Sequence, residues 1–121
     1  MAQQYDVTFK AILQKAMPGL FRLLDLPSGV VEYLTVEFPI REKLLPDLVV
    51  RLADGRILHI ELQSRNDPEM EWRCLDYFRV ISRRWKGTTI VQVVVYLGDG
   101  LMTIASRIDE SELHFGFQVL N

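Results

Sequence analysis

The chain has 121 residues, the size of one ordinary domain, so one hydrophobic core is expected rather than two. Apolar residues make up 49% and charged residues 25%, a balance that suits a globular fold and excludes collagen, coiled coil and disorder. Fourteen Lys and Arg against sixteen Asp and Glu leave a net charge of -2, so no global basic field marks a nucleic-acid binder, although binding needs only a local patch.

Met1 to Asp6 lack the basic-then-apolar order of a secretory signal. Asp6 can cap a helix through Val7–Leu13, with Phe9, Ile12, Leu13, Ala16 and Met17 as its apolar stripe. Pro18-Gly19 is expected to break or bend it, leaving Leu20–Leu24 as a second short helical piece. Val30 to Phe38 read as a strand that Pro39 ends, and Leu48–Leu52 and Ile57–Leu62 as two more around Ala53-Asp54-Gly55. A second helix follows, with Asp67 as N-cap, Pro68 at its first position, and Met70, Cys74, Tyr77, Phe78, Ile81 and Trp85 at helical spacing before Lys86-Gly87. Cys74 is the sole cysteine, which excludes an intramolecular disulfide and suits a reducing cytoplasm. Thr88–Leu97 reads as a strand buried on both faces; interrupted by Gln92, it is too short to cross a bilayer. After Gly98-Asp99-Gly100, Leu113, Phe115, Phe117 and Val119 alternate as a last strand that runs into Asn121. The expectation is a cytoplasmic, single-domain α/β protein with no membrane partner, whose sheet stops short or is completed by a partner.

The hairpin carries the chemical information. Side chains alternate between faces along a strand. Leu48, Val50 and Leu52 with Leu58, Ile60 and Leu62 form one aliphatic set, so Asp47, Val49 and Arg51 share the other face with Ile57, His59, Glu61 and Gln63. A two-residue Asp54-Gly55 turn would split the aliphatic set between faces. A three-residue loop with Gly55 left-handed pairs Leu52 with Arg56, unites the set, and puts Asp47 opposite Glu61. Paired Cβ atoms lie about 4.5–5.5 Å apart, and opposed like charges destabilise a sheet. A divalent cation removes that penalty, and hard oxygen donors suit Mg²⁺. Gln63 points to the same place. On residue types alone, the commoner arrangement is a Pro-Asp turn and a Glu on a solvated strand face. His59 on that exposed face has no second histidine to work with, and His114 reads as a surface residue.

Pro46-Asp47, thirteen residues, then Glu61-Leu62-Gln63 resembles the PD-(D/E)xK nuclease signature, with Gln63 where the pattern has lysine. More narrowly, Asp6-Val7-Thr8-Phe9-Lys10, those two motifs, and Met70, Arg73 and Tyr77 resemble the recombination-promoting nuclease and transposase (YhgA-like) family over roughly residues 5 to 120. The resemblance implies a mixed sheet with a restriction-endonuclease-like αβββαβ core and additional C-terminal strands. It also implies that residues 1–121 are a single nuclease-like domain, C-terminally truncated relative to the longer full-length family members. Asp47 and Glu61 would be Mg²⁺ (or Mn²⁺) ligands, and Asp6 would either join them or only cap its helix. Asp47, Glu61 and Gln63 would be the catalytic set. Glutamine orients a water but lacks lysine's charge, a loss of a few kcal/mol, on the order of a hundredfold in rate. Lys10 or Arg73 could restore that charge, and the narrower family is one in which glutamine occurs here.

DNA is the partner this implies, held by Lys10, Arg73, Arg83, Arg84 and Lys86, with affinity falling steeply with salt. The bland reading of the same cations is a solvated helix face with Glu–Arg pairs, and Trp72, Tyr77 and Trp85 are more often core than stacking platforms. Three functions follow: a Mg²⁺-dependent DNA endonuclease, homodimeric because two strands need two sites; a catalytically silent DNA- or protein-binding member of the fold; and an interaction domain whose acids are incidental.

Overall fold

The aliphatic alternation on either side of Ala53-Asp54-Gly55 requires a hairpin. The computed structural model, which describes residues 15–26, 29–35 and 48–121, contains it. Strand β2 (Leu48–Leu52) pairs antiparallel with β3 (Ile57–Gln63), setting Leu48 opposite Ile60, Val50 opposite Leu58 and Arg51 opposite Ile57. The Leu52 N–H donates to the Arg56 carbonyl at 2.8 Å, the Gly55 N–H donates to the Leu52 carbonyl at 3.0 Å, and Gly55 stands at φ +93°. This is the three-residue loop that the aliphatic pattern demands. Asp54 tightens it, accepting from the Arg56 backbone N–H at 3.0 Å and from its guanidinium at 2.8 Å.

Beyond the hairpin, β1 (Val30–Tyr33) adds antiparallel to β2, while β4 (Ile90–Tyr96) lies parallel to β3 and β7 (Gln118–Leu120) parallel to β4. The mixed sheet therefore runs β1-β2-β3-β4-β7. A parallel neighbour cannot be reached by a tight turn, and α2 (Met70–Arg84) is the crossover between β3 and β4. β3 is thus central and covered on both sides. On one face Leu48, Val50, Leu52, Leu58, Ile60 and Val93 pack beneath Met17 and Phe21 of a helix over residues 15–23, here α1. On the other, Val49 and Ile57 meet Tyr77 and Ile81, and Val94 and Tyr96 meet Met70 and Cys74, all from α2. Among the described residues, both expected sets of side chains fall on the faces the alternation assigns; Asp47 lies outside them. No described helix is long and apolar enough to cross a membrane.

Four details of the expected elements change. Pro18-Gly19 does not interrupt α1, which is continuous over 15–23. Proline's fixed φ is a helical one, and an unbroken helix lets Met17 and Phe21, one turn apart, bury together at 7% and 4% exposure. β1 is strand only over Val30–Tyr33; Leu34 still donates its N–H to Val49 at 2.8 Å, and 36–38 lie outside the described residues. α2 begins at Met70 rather than Pro68, the preceding turn being closed by Met70 N–H on the Asp67 carbonyl. The final alternating run is two strands: β6 (Leu113–Gly116) pairs with β5 (Arg107–Glu110) in a separate ribbon, and β7 joins the main sheet. Phe117 is the break, its N–H drawn to the Ser106 carbonyl at 3.0 Å while its ring packs with the Tyr96–Ile104 cluster. The expected Asp6-capped helix start lies outside the described residues.

Nothing crowds a Cβ at Gly55, so Gly55→Ala costs only the left-handed backbone, about 1–2 kcal/mol. Urea unfolding is expected to show that loss with an unchanged m-value, and Gly55→Asn a smaller one, since asparagine tolerates this conformation.

Candidate functional site

The face of β3 that carries Ile57, His59, Glu61 and Gln63 was expected to meet solvent. It is instead roofed by α2, and His59 and Glu61 are only 1% and 2% exposed. The cause is topological: the crossover helix of a parallel pair must lie on one face of the sheet, and the α1 face is already filled. The reading of Glu61 and His59 as exposed-face residues is therefore corrected.

Burial obliges these polar groups to find partners. His59 Nε2 lies 2.9 Å from Glu61 Oε2. On the neighbouring strand, at the rung facing His59, Gln92 places Nε2 3.1 Å from His59 Nδ1 and donates to the Cys74 carbonyl of α2 at 2.9 Å. A polar chain thus runs Glu61–His59–Gln92–Cys74 through the interior, linking β3, β4 and α2. Tyr77 packs edge-on to the His59 ring, with centroids 4.8 Å apart. Burial, with the Glu61 charge adding to it, pushes the Cys74 thiol up to about 12, so this cysteine is a packing group rather than a nucleophile.

Gln63 stands two residues beyond Glu61 on the same face, about 7 Å along the strand, and is half-buried. It opens onto a cleft of about 340 Å³ lined also by Arg65, Asn66, Asp67, Pro68 and Arg73. The cleft lies where β3 ends and α2 begins, at the carboxyl end of the parallel pair. Asn66 ties its wall to the segment after β4, donating to the Leu101 carbonyl at 2.9 Å and accepting from the Thr103 N–H at 2.6 Å. Asp67 accepts from the Glu69 N–H at 2.9 Å and from Arg73 Nη1 at 2.6 Å. Asp67 is thus not the N-cap that the sequence suggests: Glu69 holds that position without a side-chain cap, and Asp67 braces the turn ahead of the helix. Burial pushes the Asp67 carboxyl up, but the Glu69 N–H and the Arg73 guanidinium outweigh it and leave the group below its ordinary value. Arg73 responds in kind: burial works against its charge, while hydrogen bonds to Asp67 and Tyr77 strengthen it. Its Nε is buried without a hydrogen-bond partner among the described residues.

Of the candidate residues, Glu61, Gln63 and Arg73 are brought to this end of β3 and α2. Asp47, Asp6 and Lys10 lie outside the described residues. Arg83, Arg84 and Lys86 are exposed at the opposite end of α2, with Arg84 about 16 Å along the helix from Arg73. They stand about three helical turns from the cleft. No group of three or more His, Cys, Asp and Glu side chains gathers around one point among the described residues. His114 is a surface residue as expected, 3.0 Å from Asp109. Sequence reading passed over the roles of His59 and Gln92. The signal was Gln92 itself, a lone amide in a run of Val and Ile, which a doubly buried strand tolerates only with a buried partner.

Comparison of the chain with protein-family models, with curated proteins and with solved structures found no match.

Asp67→Ala removes the acceptor of the Glu69 N–H and the partner of Arg73, and is expected to cost about 1 kcal/mol at neutral pH. Because the folded carboxyl titrates below the unfolded one, its contribution is present above the ordinary aspartate range and fades as pH falls through the lowered folded value. Urea titrations of both proteins at pH 7 and in acid are expected to show the gap narrowing.

Proposed function

We propose that the chain is a Mg²⁺- or Mn²⁺-dependent endodeoxyribonuclease with a restriction-endonuclease-like core, associated with transposition or recombination and acting as a homodimer. The observation that carries this reading is one juxtaposition. Glu61 is immobilised on the central strand two residues before Gln63, whose amide opens with Arg73 onto a cleft at the carboxyl end of the parallel pair. Open α/β sheets bind ligands at that end. The order helix, three antiparallel strands, crossover helix, parallel strand also supports the αβββαβ core that the motifs imply.

The donor chemistry fits a hard cation in part. Glu61 offers a carboxylate whose orientation is held by His59, and Mg²⁺ needs only one or two carboxylates, its other positions being taken by water and phosphate. Glu61 and the sequence-assigned Asp47 would hold the ion, with Asp6 as a third candidate. When bound, such an ion supplies phosphate-oxygen binding and a lowered water pKa. The chain's own residues do the rest. Gln63 orients water through its amide oxygen and donates from its nitrogen. Arg73, stiffened by Asp67, offers positive charge to a backbone phosphate in the cleft. Arg83, Arg84 and Lys86 would meet DNA further along α2.

Two observations favour a second reading, a catalytically silent DNA- or protein-binding member of the same fold. Gln63 carries no charge where lysine would, and Glu61 is 2% exposed.

Plasmid cleavage separates the two readings. Nicking is expected with Mg²⁺ or Mn²⁺, none with EDTA, and a loss on the order of a hundredfold or more in Asp47→Ala and Glu61→Gln. Salt-sensitive DNA retention without metal-dependent cleavage would establish the silent reading. Equal cleavage under all conditions would overturn the nuclease.

A further inference from the structure

The buried polar chain deepens that reading. The Gln92 amide nitrogen donates to the Cys74 carbonyl at 2.9 Å and sits 3.1 Å from His59 Nδ1. An amide nitrogen cannot accept a hydrogen bond, so Nδ1 must accept and carry no proton. Reversing the amide would press its oxygen against the Cys74 carbonyl, so that orientation is excluded. The single ring proton then resides on Nε2, which donates to Glu61 Oε2 at 2.9 Å. Donor and acceptor roles are thereby fixed: the Gln92 amide donates both to the α2 backbone and to the imidazole, and the imidazole donates to the carboxylate. Exposures of 1% for His59, 2% for Glu61 and 6% for Gln92 leave little water to substitute for any link. The Tyr77 ring, 4.8 Å away, fixes the imidazole from the helix side.

We infer that His59 is a positioning residue for Glu61, set in its Nε2–H form by Gln92 and the Cys74 carbonyl, so that the fold of α2 on β4 aims the metal-holding carboxylate. Hydrogen-bonded outer partners of this kind set the rotation and basicity of a ligand, and their loss commonly lowers metal affinity 10- to 100-fold. The inference rests on the proposal that Glu61 holds a cation.

Mn²⁺ titration calorimetry on the full 121-residue chain, with thermal melting as the fold control, tests it. His59→Leu removes the donor, while His59→Gln can place an amide N–H near the Nε2 position. The expected result is a roughly tenfold or greater loss of Mn²⁺ affinity in His59→Leu and a smaller loss in His59→Gln, with Gln92→Leu falling between. Nitrogen-detected NMR of ¹⁵N-histidine protein reads the link without metal: the unmodified chain is expected to show the Nε2–H form at His59, and Gln92→Leu to lose that exclusivity. Unchanged Mn²⁺ affinity in folded His59→Leu and Gln92→Leu, or an Nδ1–H form in the unmodified chain, overturns the inference alone. No Mn²⁺ uptake by the unmodified protein overturns the metal reading and the inference with it.

Discussion

A left-handed glycine ties the two faces of this sheet together. With Gly55 at φ +93°, the hairpin loop holds three residues and Leu52 pairs with Arg56. Moving the register by one residue would turn every side chain of β3 over. Leu58 and Ile60 would then face α2, and His59 and Glu61 would be driven into the aliphatic layer beneath Met17 and Phe21. An unpaired carboxylate there would cost several kcal/mol, so the loop and the polar chain enforce one another.

The same constraint explains where the site lies. β3 is central, so its α2-facing side must be packed for most of its length, and Ile57, Tyr77 and Ile81 do this at its start. Toward its end the packing turns polar, with His59 and Glu61 inside and Gln63 at the cleft. The beginning of α2, anchored by Asp67 and Arg73, closes that end of the strand. His59 holds the Glu61 carboxylate in the interior, while Gln63 and Arg73 line the cleft itself.

Legibility differed by element. The hairpin register, the turn type, β2 and β3 followed from alternation alone, because a period of two admits one solution once six aliphatic residues must share a face. α1 and the last strand were harder. Pro18 reads locally as a breaker, yet the sheet rewards burying Met17 with Phe21; the Leu113–Val119 alternation reads as one strand, yet Phe117 and the Ser106 carbonyl divide it between two ladders. In each case a contact distant in sequence overrode a local preference.

Glu61 and Gln63 could be placed on one face from the sequence, and Gln92 could be noticed as an anomaly in an apolar run. What decided their chemistry was tertiary. Only the parallel crossover puts α2 over the odd-numbered face, buries Glu61, and brings both His59 and the Cys74 carbonyl to the Gln92 amide. Periodicity reports which side of a strand a residue occupies; what covers that side depends on where a helix returns, and that is set by packing between elements rather than by the pattern of any one of them.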